Sequence, residues 1–304
     1  MTAAPNPSAN KRYRVRHLTR YRYSQNVSLS QHFLHLLPRT TTSQRVDSAD
    51  LIIEPMPATR RDAVDYFGNP TCLVSLDEEH LETVLLAESQ VSLRRSAPPA
   101  PKETPAWEDI NKTVREGRSK DLLFVYQYCF ASPQTKAGQG ALALGEKFFA
   151  PGTPILEGAM ALMDHIFTHY QYDPEATDVS TPVDEVMRIK GGVCQDFAHL
   201  QLACMRALGL PARYVSGYLL THPPEGQERL QGADASHAWL SIWTGDHGWV
   251  DLDPTNNLIP GDEHITLAWG RDYSDVSPIN GVTFGGGAHQ IDVEVDVLPI
   301  ENAR

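Results

Sequence analysis

Three short segments in the second half of this 304-residue chain carry side chains capable of covalent chemistry: Gly191-Gly192-Val193-Cys194, Ser236-His237-Ala238-Trp239 and Asp251-Leu252-Asp253-Pro254-Thr255. Singly, each has an ordinary structural explanation. A cysteine at a helix start is usually a small buried hydrophobe, a histidine in a strand a satisfied side chain, and Asp-Pro-Thr a turn. Together, Cys194, His237 and Asp253 supply a nucleophile, a proton acceptor and a carboxylate that can orient the imidazole. The natural work of that set is acyl transfer from an amide or ester through a covalent thioester. Such chemistry requires no cofactor and no metal, and none is expected.

The surrounding elements decide whether these residues can meet. Gly191-Gly192 open a helix expected to run to Leu208, where Gly209 and Pro211 stop it. Cys194 then sits among unpaired N–H groups at the positive end of the helix dipole, which favours the thiolate. The two glycines leave room for a substrate backbone. Residues 236–243 and 248–253 flank Thr244-Gly245-Asp246 and read as a hairpin. A turn centred on Gly245 places Trp239 opposite Asp251 and His237 opposite Asp253, with Cβ atoms about 4.5–5.5 Å apart. A register slip of two would offer Asp251 as the orienter instead. The backbone N–H of Cys194 can donate to an oxyanion, and Gln171, Tyr170 and Tyr172 are weaker candidates for a second donor.

The rest of the chain reads as an ordinary globular protein, with 41% hydrophobic and 21% charged residues, which excludes a disordered or collagen-like chain. Residues 11–23, 32–37, 51–53, 71–76, 81–86 and 91–93 read as short strands, so residues 1–95 are expected to form a small antiparallel β domain. The proline cluster Pro98-Pro99-Ala100-Pro101 marks a boundary near 96–106, with the catalytic region at 96–304. Thr104-Pro105 and Thr153-Pro154 are helix-start signals. Residues 212–220 and 291–298 read as further strands, the last with Ile291, Val293, Val295 and Val297 on a buried face and acids on the other.

The formal charge of −12 argues against nucleic acid and anionic membrane as partners. Arg12, Arg14, Arg16, Arg20 and Arg22 alternate with other side chains as one solvated strand face would. The start of the chain has no signal-like apolar run. Cys72, Cys129, Cys194 and Cys204 form neither a disulfide framework nor a CxxC pattern, so a cytoplasmic location with reduced thiols is expected.

The order of these motifs resembles the transglutaminase-like superfamily: Gly-Gly-Val-Cys194-Gln-Asp-Phe-Ala, then Ser-His237-Ala-Trp, then Gly-Trp-Val-Asp-Leu-Asp253-Pro-Thr. The resemblance covers roughly residues 150–256. The N-terminal strands, with the Asp65-Tyr66-Phe67-Gly68-Asn69 turn, look like the β region that precedes this core in many bacterial members. It implies an α+β fold: a papain-like core of helices packed on an antiparallel sheet, preceded by a small antiparallel β domain. It also implies that Cys194, His237 and Asp253 act as one triad. Animal members cross-link glutamine to lysine and need calcium; no EF-hand pattern is present, and Gln195 stands where a tryptophan commonly follows the cysteine. Bacterial relatives are expected to be proteases or amidases, so a peptide or protein amide is the expected partner.

Other chemistry-bearing residues are weaker. His165 and His169 have metal-ligand spacing without the HExxH glutamate. His199 lies off the helix face of Cys194, and Cys204 reads as core. Gly285-Gly286-Gly287 lacks the P-loop lysine and reads as a flexible loop. His264 and residues 271–275 have no assigned place. Protein-glutamine transamidation and a catalytically silent binding module stand as alternatives.

Overall fold

The computed structural model describes residues 11–221 and 235–300. The Arg/Tyr alternation becomes β1 (Lys11–Leu34), followed by β2 (Gln44–Glu54), β3 (Thr59–Val64), β4 (Pro70–Leu76) and β5 (His80–Leu93). Two strands were expected within β1, at 11–23 and at 32–37. They are one strand because the polar stretch between them marks a change of partner. Arg12 to Arg22 pair with β5, the register breaks between Arg22 and Val27, and Ser30 to Leu34 pair with β4. Strand β3 is exposed at all six positions, so no apolar alternation announces it.

Residues 94–100 contain no helix or strand, as a proline cluster dictates. Beyond them come α1 (Trp107–Glu116), α2 (Lys120–Tyr126), α3 (Gln139–Gly145), α4 (Ile155–His169), α5 (Val183–Ile189) and α6 (Cys194–Ala207). Thr104 does not cap a helix of its own. Its hydroxyl accepts from Leu156 N at the first turn of α4, 3.2 Å away. Two short parallel strands, β6 (Gln171–Tyr172) and β7 (Gly191–Gly192), bring the chain before α5 beside the start of α6.

Helix α6 is buried along most of its length, and its buried polar side chains are paired inside the fold: Gln201 donates to Ala159 O at 2.8 Å and Arg206 to Ala212 O. It packs on α4, α5 and α3 and on an antiparallel sheet made of β8 (Ala212–Leu219), β9 (Ala235–Trp243), β10 (Trp249–Leu252) and β11 (His264–Gly270), ordered β10-β9-β8-β11. This is the α+β arrangement that the motif order implies. Among the described residues no helix is long and apolar enough to cross a membrane.

The chain then returns to the first sheet. Strands β12 (Ile279–Gly285) and β13 (His289–Ile300) both pair with β1. A division at residue 96 therefore does not follow sheet membership: the last two strands, expected with the catalytic region, complete the N-terminal sheet. Gly285-Gly286-Gly287 leads from β12 to β13, and all three residues have positive φ. Gly286 N donates to Asn26 O, and Gln25 N donates to Gly286 O, which pins this connection to β1. Along β13, Val295 and Val297 are buried as expected, while Ile291 and Val293 are exposed. The acids of β13 and β5 neutralise the arginine face: Arg16 reaches Glu294 at 3.3 Å and Asp296 at 3.7 Å, and Arg20 reaches Glu82 at 3.3 Å.

Two buried amides join the sheets. Strand β11 is an edge strand, with backbone groups that need partners. Gln44 donates to Thr266 O at 2.7 Å and accepts from Thr266 N at 2.9 Å. Asn69 does the same for Trp269, at 2.9 Å in both directions. Each side chain acts as one residue of a missing strand and fixes β11, and with it His264, against the N-terminal sheet.

Candidate active site

Cys194 is the first residue of α6. The side chain of Asp196 accepts from Val193 N at 2.8 Å and from the Thr177 hydroxyl at 2.6 Å, which ties the helix start to the loop before α5. Burial raises the pKa of this carboxyl. A Cβ on Gly192 would lie 2.6 Å from the Asp196 carboxylate oxygen. Gly192 therefore leaves the space that Asp196 fills. Cys194 is partly exposed, whereas Cys72, Cys129 and Cys204 are buried free thiols. Burial pushes each of those three up to about 12.

His237 and Asp253 meet, but not by the expected register. Trp243 pairs with Trp249 and Ser241 with Asp251, so the turn centres on Asp246 rather than Gly245. Thr244 N donates to Gly248 O and closes a three-residue 3₁₀ turn, with positive φ at Gly245 and Gly248. The two-residue shift places Asp253 across from Trp239, diagonal to His237, a separation a carboxylate can span. Asp253 also leaves the ladder. It bridges to Leu258 through a turn containing left-handed Asn257, and its Oδ1 accepts from Thr255 N and Asn256 N. His237 Nε2 lies 2.7 Å from Asp253 Oδ2. Asp251, the alternative orienter, points elsewhere and pairs with Arg95 at 3.2 Å.

Cys194, at the start of α6, is near enough to His237 to act on its titration. Burial disfavours the charged imidazole. The hydrogen bonds to Asp253 and Cys194 outweigh that effect and raise its pKa to about 10. Asp253 is fully buried, and burial alone would raise its pKa. Donors from His237, His264 and Asn256 reverse the direction and hold it well below the usual carboxylate range. At neutral pH the raised His237 pKa favours an imidazolium paired with the Asp253 carboxylate.

Sequence reasoning missed two members of this cluster. His264 Nε2 lies 3.1 Å from the same Asp253 oxygen, and Asn256 Nδ2 donates to it at 2.8 Å. Asn256 was within reach of inference, three residues after Asp253. His264, which had no assigned place in the sequence, opens β11. Trp239, fully buried, packs edge-on to His264, with ring centroids 5.3 Å apart. Gly217 leaves the space: a Cβ there would lie 2.5 Å from the indole.

His237, Asp253 and His264 also form the one group with metal-ligand spacing among the described residues. Two ligand atoms of one tetrahedral zinc, each about 2.0 Å from the ion, lie about 3.3 Å apart. The 2.7 Å His237–Asp253 contact is instead that of a charge-assisted hydrogen bond.

Of the three candidates for a second oxyanion donor, Tyr172 is exposed, at the end of β6 that pairs with Gly192. Its partial burial and the charge at Cys194 raise its pKa. Tyr170 is buried against Phe197, and Gln171 pairs with Gly191 through the backbone. His199 accepts from Tyr273 N, and burial lowers its pKa to about 4. His165 and His169 stack at 4.1 Å, with His169 Nδ1 donating to His165 O. Cys204 is core.

With this geometry in hand, comparison with known proteins gives the same reading of the fold. Residues 13–92 match the bacterial transglutaminase-like N-terminal region, and residues 143–254 match the transglutaminase-like superfamily core. An uncharacterized protein of Mycobacterium tuberculosis is 37% identical over 299 residues, covering 97% of this chain and 95% of that protein. The chain belongs to the transglutaminase-like superfamily. Within it, a protein-glutamine gamma-glutamyltransferase of Pseudomonas aeruginosa is 30% identical over 124 residues, 38% of this chain and 18% of that enzyme. The crystal structure of a candidate cysteine protease from Cytophaga hutchinsonii shares the fold, with a TM-score of 0.77 at 19% identity over 98% of this chain and 93% of that one. The core match ends at residue 254, so it includes Cys194, His237 and Asp253 and stops short of His264.

Proposed function

We propose that this transglutaminase-like protein is a cysteine peptidase or amidase that uses Cys194, His237 and Asp253 as its catalytic triad. The observation that carries the reading is the 2.7 Å His237–Asp253 contact, with Cys194 at the start of α6 near enough to the same imidazole to raise its pKa. The Cys194 thiolate attacks the carbonyl carbon of an amide. The C–S bond forms, and the carbonyl π electrons move onto oxygen, which the backbone N–H of Cys194 stabilises. Collapse breaks the C–N bond, and the His237 imidazolium donates its proton to the departing amine. His237, now neutral, takes a proton from water as it attacks the thioester. The acid is released, and the thiolate–imidazolium pair returns. Asp253 holds the ring in place and stabilises its charge throughout.

A second reading is supported by the similarity to the Pseudomonas glutamyltransferase: an amine replaces water in the last step, and a new amide forms. One experiment separates the two. A peptide library is incubated with the protein, with and without an added primary amine, and products are read by mass. Cleaved peptides support the hydrolase, and amine adducts at glutamine support the transamidase. No Cys194-dependent product in either arm contradicts both. EDTA in the buffer should leave the products unchanged, since no step uses a metal.

A further inference from the structure

A large cavity lies away from this site. It holds about 780 Å³ between the second sheet, the 95–99 segment and the loop at 41–43, and none of Cys194, His237 and Asp253 lines it. That volume suits a small-molecule pocket. Its floor is Arg213 on β8, 7% exposed. The guanidinium carbon lies 3.7 Å from the ring centre of Trp269 and 4.2 Å from that of Trp249, so two indoles sandwich it. A second arginine, Arg39, covers the other face of Trp269.

These two arginines differ in their partners. Arg39 donates to Phe67 O at 3.2 Å and to the Asn69 side chain. Arg213 has neither an ion pair nor a hydrogen-bond acceptor among the described residues, and its buried Nε is without a partner. The nearby Arg95 is satisfied by Asp251 at 3.2 Å and by His264 O at 2.9 Å. Indole faces attract a cation but offer no lone pairs to its five N–H groups. A buried guanidinium without an acceptor is costly, and its planar fork matches carboxylate and phosphate oxygens. Ile259, Pro98 and Pro99 add apolar wall beside the indoles.

We propose that this cavity binds a small acid, which presents its oxyanion to Arg213 and lays an apolar body against Ile259, Pro98 and Pro99. The proposal is independent of the acyl-transfer reading. The site is also linked to the triad's supports: Arg95 joins it to Asp251, on the strand that leads into Asp253, and to the backbone of His264.

Equilibrium binding followed by tryptophan fluorescence and calorimetry tests it. N-acetylphenylalanine, its neutral amide and phenyl phosphate are titrated to millimolar concentration into the full chain. The acids should bind and the amide should not. Arg213→Gln should weaken binding by about tenfold or more, and Arg213→Lys, which keeps the charge but not the fork, by less. Ala97→Trp alters only an exposed residue of the cavity lining, so it should block binding in a folded protein even if Arg213→Gln does not fold. Cys194→Ala should leave affinity unchanged, which separates this cavity from the triad. Tighter binding of phenyl phosphate would assign the natural oxyanion as a phosphate, and tighter binding of the amino acid as a carboxylate. Equal binding of acid and amide, no binding of either acid, or binding that survives both Arg213→Gln and Ala97→Trp would overturn the proposal.

Discussion

One face of the second sheet carries two buried basic side chains in opposite situations. Gly217 pairs with His237 and Arg213 with Ser241, so the alternation of β8 and β9 puts both bases on the same side. His237 is locked into a closed set of partners, with Asp253 at 2.7 Å and that carboxylate further held by His264 and Asn256. Arg213, four residues along β8 from the pairing position of His237, has two indoles and no acceptor among the described residues. The contrast teaches that a buried charge paired within the fold is set when the chain folds, whereas one left without an anion is set for a partner from outside.

The largest expected effect lies at the paired end. Cys194→Ala should reduce turnover to background, and His237→Ala should cost about 10³-fold or more, measured with whichever peptide the mass screen identifies. Combining them should add little, because the residues act as one unit. Additive losses would break the comparison at its first point.

Asp253 separates the two ends in stability as well as rate. Asp253→Asn should lower turnover by about 10²- to 10⁴-fold with the fold retained. Asp253→Ala should cost about 3–5 kcal/mol in chemical denaturation, because it strips the shared acceptor from two buried imidazoles. Arg213→Met should cost no more than about 2 kcal/mol, since it removes only stacking. Equal losses at the two positions would erase the distinction between a paired and an unpaired base.

That asymmetry also governs what was legible in the sequence. His237 and Asp253 are sixteen residues apart in one hairpin, so strand alternation and short-range spacing sufficed to bring them together, even though the turn centred one residue later than expected. The error was absorbed because the shift of two kept the face and moved Asp253 only to the diagonal position. A shift of one would have separated them. His264 and the Arg213 cavity were not legible. His264 reaches Asp253 only because β11 pairs with β8 and is held by Gln44 and Asn69 from the other sheet. The cavity assembles Arg213, Trp249, Trp269 and Pro98 from separate parts of the chain. The return of β12 and β13 to β1 was hidden for the same reason: alternation in β13 shows a strand but not its partner.

A smaller effect should follow at His264, a positioning residue that acts through Asp253. His264→Phe should reduce turnover by about tenfold. It should also move the alkaline limb of the pH–rate profile upward, since a carboxylate with one donor fewer holds the His237 proton more tightly. A uniform loss with no change in the profile would mark His264 as structural only.

The smallest effect concerns pH and stability. Against the effect of burial, Asp253 and Cys194 raise the His237 pKa from its ordinary 6.5 to about 10 in the folded chain. Its contribution is fully present below pH 6.5 and is lost as pH rises through about 10. Asp253 contributes in the opposite sense: its share is present at neutral pH and is lost on strong acidification. The stability difference between wild type and His237→Gln, from urea titrations, should therefore shrink from pH 7 to pH 10. A constant difference would contradict the coupling between the imidazole and its two partners.

The activation of Cys194 by His237 can be measured without knowing the substrate. Iodoacetamide is added near neutral pH, and the alkylation rate of each cysteine-bearing peptide is followed by mass spectrometry in wild type, Asp253→Asn and His237→Ala. In wild type, Cys194 should react far ahead of Cys72, Cys129 and Cys204, whose burial holds them as thiols. Its rate should fall in Asp253→Asn and fall further in His237→Ala, while the slow rates of the other three stay the same. A Cys194 that reacts no faster than the buried cysteines, or equally fast with and without His237, would contradict the triad.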